Sequence, residues 1–139
     1  GVIAGSKAII SHKNEMGSSF RLVKLVYSMD GAEIYAKADD GGALDKMKDF
    51  EVFNGSIVPG NHTVSVLMVF RGHGYGIFSY LKGYKFTVRS SHTFTAGEGR
   101  QTSVTVRAYE KGNITTELKD RPAIDFKVNL FSIGKGGIK

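Results

Sequence analysis

Four histidines are the residues best suited to metal or acid–base chemistry: His12, His62, His73 and His92. No two of them are close neighbours, and the chain has no cysteine, so disulfides, thiolate metal sites and cysteine nucleophiles are excluded. His62 and His92 each fall in line with apolar residues of an alternating stretch, which points to hydrogen-bonded core or edge histidines. Asp39-Asp40 and Asp45 with Asp49 offer carboxylates for calcium, but their spacing is not that of an EF-hand; loop aspartates of this kind make turns. Gly72-His73-Gly74-Tyr75-Gly76 has the glycines of a phosphate loop without the helix that such a loop needs behind it. Nucleophile elbows, Walker loops and zincin motifs are absent from the sequence. The chain is therefore expected not to be an enzyme and to hold neither metal nor cofactor.

The segment from Arg71 to Tyr84 is the most unusual. It carries Tyr75, Tyr80 and Tyr84, three of the six tyrosines, with Phe78, Arg71, His73 and Lys82 among glycines. Aromatic rings beside arginine are enriched at binding surfaces. Arg71, His73, Tyr75, Phe78, Tyr80 and Lys82 are the expected partner-binding residues; inward folding of the rings, to cap one end of the domain, is the competing expectation. Asn61-His62-Thr63 and Asn113-Ile114-Thr115 fit the glycosylation pattern, a short match that arises by chance and is silent in a bacterium.

The elements that must position these residues are strands. Period-2 alternation is broken by glycine-containing turns at intervals of about ten residues, the pattern of an all-β sandwich or barrel. Phe20 to Met29, Ala32 to Ala38, Phe50 to Phe53, Asn61 to Arg71, Tyr84 to Thr95, Gln101 to Lys111 and Ala123 to Leu130 read as strands, with one short helical turn near Ala43 to Asp49. Asp30-Gly31 predicts a tight hairpin and Pro59-Gly60 a type II turn. Along the clearest strand, His62, Val64, Val66, Met68 and Phe70 share one face; Leu67 and Val69 make the other face apolar too, which predicts a central strand. Tyr84, Phe86 and Val88, then Val104, Val106 and Ala108, then Ile124, Phe126, Val128 and Leu130 are expected inside. Gln101 to Lys111 is expected to pair back on Tyr84 to Thr95. The prediction is an all-β antiparallel β-sandwich of about seven to nine strands, immunoglobulin-like in architecture, over residues 1–133, with a disordered tail over 134–139.

The chain has 139 residues, 19 Lys and Arg against 13 Asp and Glu, and a formal net charge of +6. The cations are spread along the sequence, so the expectation is a solvated basic surface, with no nucleic acid among the partners. No stretch approaches the roughly 18 apolar residues of a membrane span. The start at Gly1-Val2-Ile3 is expected to belong to a mature fragment whose signal peptide has been removed.

Gly55-Ser56-Ile57-Val58-Pro59-Gly60-Asn61-His62-Thr63-Val64-Ser65-Val66 resembles the core of PEGA-type modules. Their signature is an apolar residue, Pro-Gly, then His or Tyr, then alternating Val; Gly83-Tyr84-Lys85-Phe86 matches the glycine-flanked aromatic that follows. A short PEGA module lacks the intervening Arg71 to Lys82. The chain from Gly5-Ser6-Lys7 through Asn14-Glu15-Met16-Gly17 to Thr116-Glu117-Leu118-Lys119-Asp120-Arg121-Pro122 resembles a family of envelope proteins of Gram-negative gliding and predatory bacteria, often labelled dihydrolipoamide acetyltransferase. That acyl transfer needs a larger catalytic domain and a lipoyl-bearing partner domain. The resemblance implies a periplasmic or cell-envelope precursor with a helical segment ahead of this domain. The expected function is a binding module that docks an envelope protein, repeat proteins among the candidates, through the aromatic Gly-rich loop or a sheet edge. A glycan- or peptidoglycan-binding module using Tyr75, Tyr80 and Lys82 is the alternative. An OB-like nucleic-acid binder, ranked last because the charge is spread along the sequence, is the second alternative.

Overall fold

The computed structural model describes residues 5–72 and 83–132. The elements are β1 (Ser6–Asn14), β2 (Phe20–Met29), β3 (Ala32–Ala38), α1 (Ala43–Lys46), β4 (Asp49–Ile57), β5 (Gly60–Gly72), β6 (Lys85–Ala96), β7 (Arg100–Glu110) and β8 (Pro122–Ser132). The eight strands form two four-stranded sheets, ordered β4-β1-β7-β8 and β3-β2-β5-β6. The fold is an all-β sandwich. The expected disordered tail over 134–139 lies outside the described residues.

Alternation builds the core. Val64, Val66, Met68 and Phe70 of β5 face Leu22, Leu25 and Tyr27 of β2 on one sheet, and Ile10, Val104 and Val106 close the layer from the other. Phe20 packs edge-on against Phe70 and Phe86, with ring centroids 6.2 and 5.4 Å apart. Leu44 of the one-turn α1 plugs the end of the sandwich and is fully buried. β5 is central, held by β2 on one side and by β6 on the other, as its two apolar faces predict. Asp30 and Gly31 both take positive φ, 53° and 84°, the backbone that their tight β2–β3 turn requires.

Four expectations need correction. β1 goes unread in the sequence because Ser6, His12 and Asn14 occupy buried inward positions beside Ala8 and Ile10. β1 pairs with β7 in parallel, so the sheets are not wholly antiparallel; the two strands are far apart in sequence, and no hairpin fixes their direction. β7 does not pair back on β6. The turn at 97–99 carries the chain to the opposite sheet, where Gly99 N–H donates to the Gly5 carbonyl at 2.8 Å and Ser6 Oγ donates to the Gly97 carbonyl at 2.6 Å. Finally, Tyr84 and Leu130 are 56% and 55% exposed. Tyr84 precedes β6, and Leu130 lies near the end of the edge strand β8.

Pro59-Gly60 also links sheets, carrying β4 of one into β5 of the other, and Gly60 has φ 125°. His62 locks this corner: its ring nitrogens lie 2.5 Å from Asp30 Oδ2 and 2.5 Å from the Val58 carbonyl. Asp30 accepts from Thr63 N–H as well, and that bond, with His62, holds its carboxyl below the usual range. The Val58 carbonyl and Asp30 push the His62 pKa up.

Candidate functional site at the loop end of the sandwich

One end of the sandwich gathers the connections 15–19, 39–48 and 111–121, with the end of β5 and the start of β6. The 39–48 connection is pinned by two aspartates. Asp39 accepts from Gly41 N–H and Leu44 N–H, bonds that hold its carboxyl below the ordinary range. Asp45 accepts from Leu22 N–H at 2.9 Å and from Asn14 Nδ2. Among the described residues, no three His, Asp or Glu side chains converge as metal ligands.

Of the six expected partner-binding residues, Arg71 is described; His73, Tyr75, Phe78, Tyr80 and Lys82 lie outside the described residues. Arg71 belongs to a structural clamp. Its Nε and Nη2 donate to the two carboxylate oxygens of Asp40 at 3.0 and 2.9 Å, a bidentate pair that ties β5 to the 39–42 turn. Gly72 N–H donates to the Tyr84 carbonyl at 2.9 Å, which extends the β5–β6 pairing to the last residue before β6.

Beside the end of that pairing lies an open cleft. Tyr84 and Phe86 form one wall, Ile114 and Leu118 the other, with Lys85 and Lys119 at the rim. Ile114 is 93% exposed, the most exposed large apolar side chain among the described residues. Local chemistry puts it there. Gly112 takes a left-handed φ of 88°, and Asn113 Oδ1 accepts from Thr115 N–H at 2.8 Å. Thr116 Oγ1 accepts from Asn113 N–H at 3.0 Å, and Arg121 Nε donates to the Thr116 carbonyl at 3.0 Å. This tight turn, followed by a 3₁₀ turn at Leu118–Asp120, holds Ile114 at its tip. In the sequence, Ile114 stood out only as the middle of a glycosylation pattern. The available signal was a lone isoleucine set among Gly, Asn, Thr and Glu.

The described histidines serve the fold. His62 locks a corner, and His92 stacks on Phe126 of the opposite sheet at 5.2 Å with an interplanar angle of 16°. His12 is buried in the core against Tyr27 and Phe50.

The geometry defines the class of protein: an eight-stranded mixed β-sandwich with an open apolar cleft at one end. No protein-family model, no curated protein and no solved structure matches the chain.

Proposed function

We propose that this chain is a non-catalytic protein-binding module of a bacterial cell envelope and that it docks its partner at the loop end. The observation that carries the reading is the exposure of Tyr84 and Ile114 on the two walls of one cleft. Large apolar side chains left in water together are costly, and such patches mark interaction sites. Between Gly72 and Tyr84 the sequence carries Tyr75 and Tyr80, a residue type enriched in binding hot spots. Lys85 and Lys119 provide a polar rim around the apolar centre. The envelope setting and the periplasmic location draw on the likeness of Val58-Pro59-Gly60-Asn61-His62 to the PEGA signature.

The test is partner retention from envelope extract by wild type, Tyr84→Ala, Ile114→Ser, Tyr75→Ala and Tyr80→Ala, with thermal unfolding as a control. Loss of retention with stability unchanged within about 0.5 kcal/mol supports the loop end as the site. A sedimentation assay with purified peptidoglycan decides the glycan alternative. Retention on that polymer, lost in the same variants, would replace the protein partner with a glycan.

A further inference from the structure

The outer face of the β3-β2-β5-β6 sheet is a second surface, which shares Lys85 with the rim of the loop-end cleft. Strands β2, β5 and β6 contain Arg21, Lys24, Arg71, Lys85 and Arg89 and no Asp or Glu; the edge strand β3 adds Glu33, paired with Ser28. Register brings these cations together on the side opposite the core. Arg21 pairs with Arg71 and Arg71 with Lys85; Lys24 pairs with Val69 and Val69 with Thr87; Val26 pairs with Leu67 and Leu67 with Arg89; Ser28 pairs with Ser65 and Ser65 with Ser91. The expectation of scattered charge is thereby corrected: cations far apart in sequence are gathered by strand order. The opposite sheet differs. Its strands interleave Asp49, Glu51, Glu110 and Asp125 with their cations, and Arg107 there pairs with Asp125 and Glu15.

The five cations are not equivalent. Arg71 is engaged by Asp40, and Arg21 donates to the Asp40 carbonyl. Lys24, Lys85 and Arg89 are exposed and make no ion pair among the described residues. Between them run the half-buried aliphatic side chains of Val26, Leu67 and Val69, which line two shallow grooves with Arg89 and Lys24; Asp39 and Asp40 stand at one end of the Lys24 groove, Asp40 engaged by Arg71. No aromatic side chain stands on this face among the described outward residues of β2, β5 and β6. Base and sugar stacking, which single-stranded nucleic acids and many glycans use, has no platform there. Cations around an aliphatic stripe suit carboxylates interspersed with apolar side chains.

We infer that the outer face of β2, β5 and β6 binds an acidic, partly apolar segment of a partner protein, with Lys24 and Arg89 meeting its carboxylates and Val26, Leu67 and Val69 meeting its apolar side chains. Charge complementarity carries this choice of occupant. Binding is weakened by salt, because exposed charges are screened over about 8 Å at physiological ionic strength.

The probe is a synthetic peptide of interspersed Glu and Leu, titrated into the full chain and followed by amide chemical shifts. Its counterpart with Gln for Glu, a dT oligonucleotide and hyaluronate are titrated alongside. The acidic peptide is expected to shift the amides of Lys24, Val26, Ser65, Leu67 and Arg89 and to bind tenfold or more weakly to Lys24→Gln/Arg89→Gln. Lys13→Gln/Lys127→Gln on the opposite sheet and Ile114→Ser at the loop end are expected to keep wild-type affinity, which separates this surface from the loop-end reading. Equal binding of the Gln peptide, tighter binding of the oligonucleotide or hyaluronate to this face, shifts confined to other surfaces, or no binding would each overturn the inference. The wild-type shift map stands even if the double variant were to unfold.

Discussion

His12 and Tyr27 meet across the sandwich, Nδ1 to Oη at 2.7 Å, both with no exposed surface. One residue comes from β1 and the other from β2, so this single bond joins the two sheets through the core. Burial pushes the His12 pKa down to about 4 and, together with the neighbouring Tyr35, pushes that of Tyr27 up. The pair is neutral at ordinary pH. His12 Nε2 has no hydrogen-bond partner among the described residues.

A fall in stability between about pH 6.5 and pH 4 follows from that pair. The unfolded chain takes a proton on His12 near its ordinary value of 6.5, whereas the folded chain resists until about 4. Stability is therefore full above pH 6.5 and declines as pH falls through this window, by about 3 kcal/mol in all at 1.36 kcal/mol per unit. The other shifted groups act elsewhere. Asp30 and Asp39, held below their ordinary value of 3.8, lose their contribution only below it. His62, whose pKa is raised, contributes fully below 6.5 and loses its contribution as pH rises through its folded value. Urea midpoints across pH 4 to 7 are expected to slope for wild type and to flatten for His12→Leu.

Tyr27→Phe leaves His12 buried with neither ring nitrogen satisfied and is expected to cost about 1–3 kcal/mol. His12→Leu/Tyr27→Phe removes both polar partners and is expected to cost less than the sum of its single variants, because an unmade buried bond is worse than none. The four-way thermodynamic cycle by denaturant unfolding measures this. A coupling energy of zero would mean that the 2.7 Å contact contributes nothing.

Gly60→Val is expected to destabilise by more than about 1 kcal/mol. A Cβ at this position meets open space, so the penalty is one of backbone: φ 125° strains a β-branched residue. Gly60→Ala should lie between the two in urea midpoint. An unchanged midpoint for the valine variant would remove the positive φ from the account of this corner.

The sequence revealed most where one residue pattern decides one element. Val64 to Phe70 announced a central strand because both its faces are apolar, and Asp30-Gly31 announced its turn because both residues accept positive φ. β1 stayed hidden because its buried face carries Ser6, His12 and Asn14, whose partners come from distant strands and turns. The passage of the chain from one sheet to the other at 57–60 and 97–99 was equally hidden, since a glycine turn reads alike within a hairpin and between sheets. Part of the candidate site was legible. The aromatic composition of 73–82 marked its neighbourhood, but the role of Arg71 was set by Asp40 in a separate turn. Ile114 required the Asn113 turn to be seen in space. The basic face required strand order, because Lys24 comes from β2 and Lys85 and Arg89 from β6, two strands far apart in the chain that flank β5 in the sheet.

Photo-crosslinking from residue 114 tests the central claim most directly. A benzophenone amino acid placed at Ile114, and separately at Ser103 on the outer face of the opposite sheet, is irradiated with envelope extract. The account predicts one discrete protein adduct from position 114, lost when Tyr84→Ala is added, and no such adduct from position 103. An adduct from 103 alone, equal labelling from both positions, or no adduct from 114 would contradict docking at the loop end.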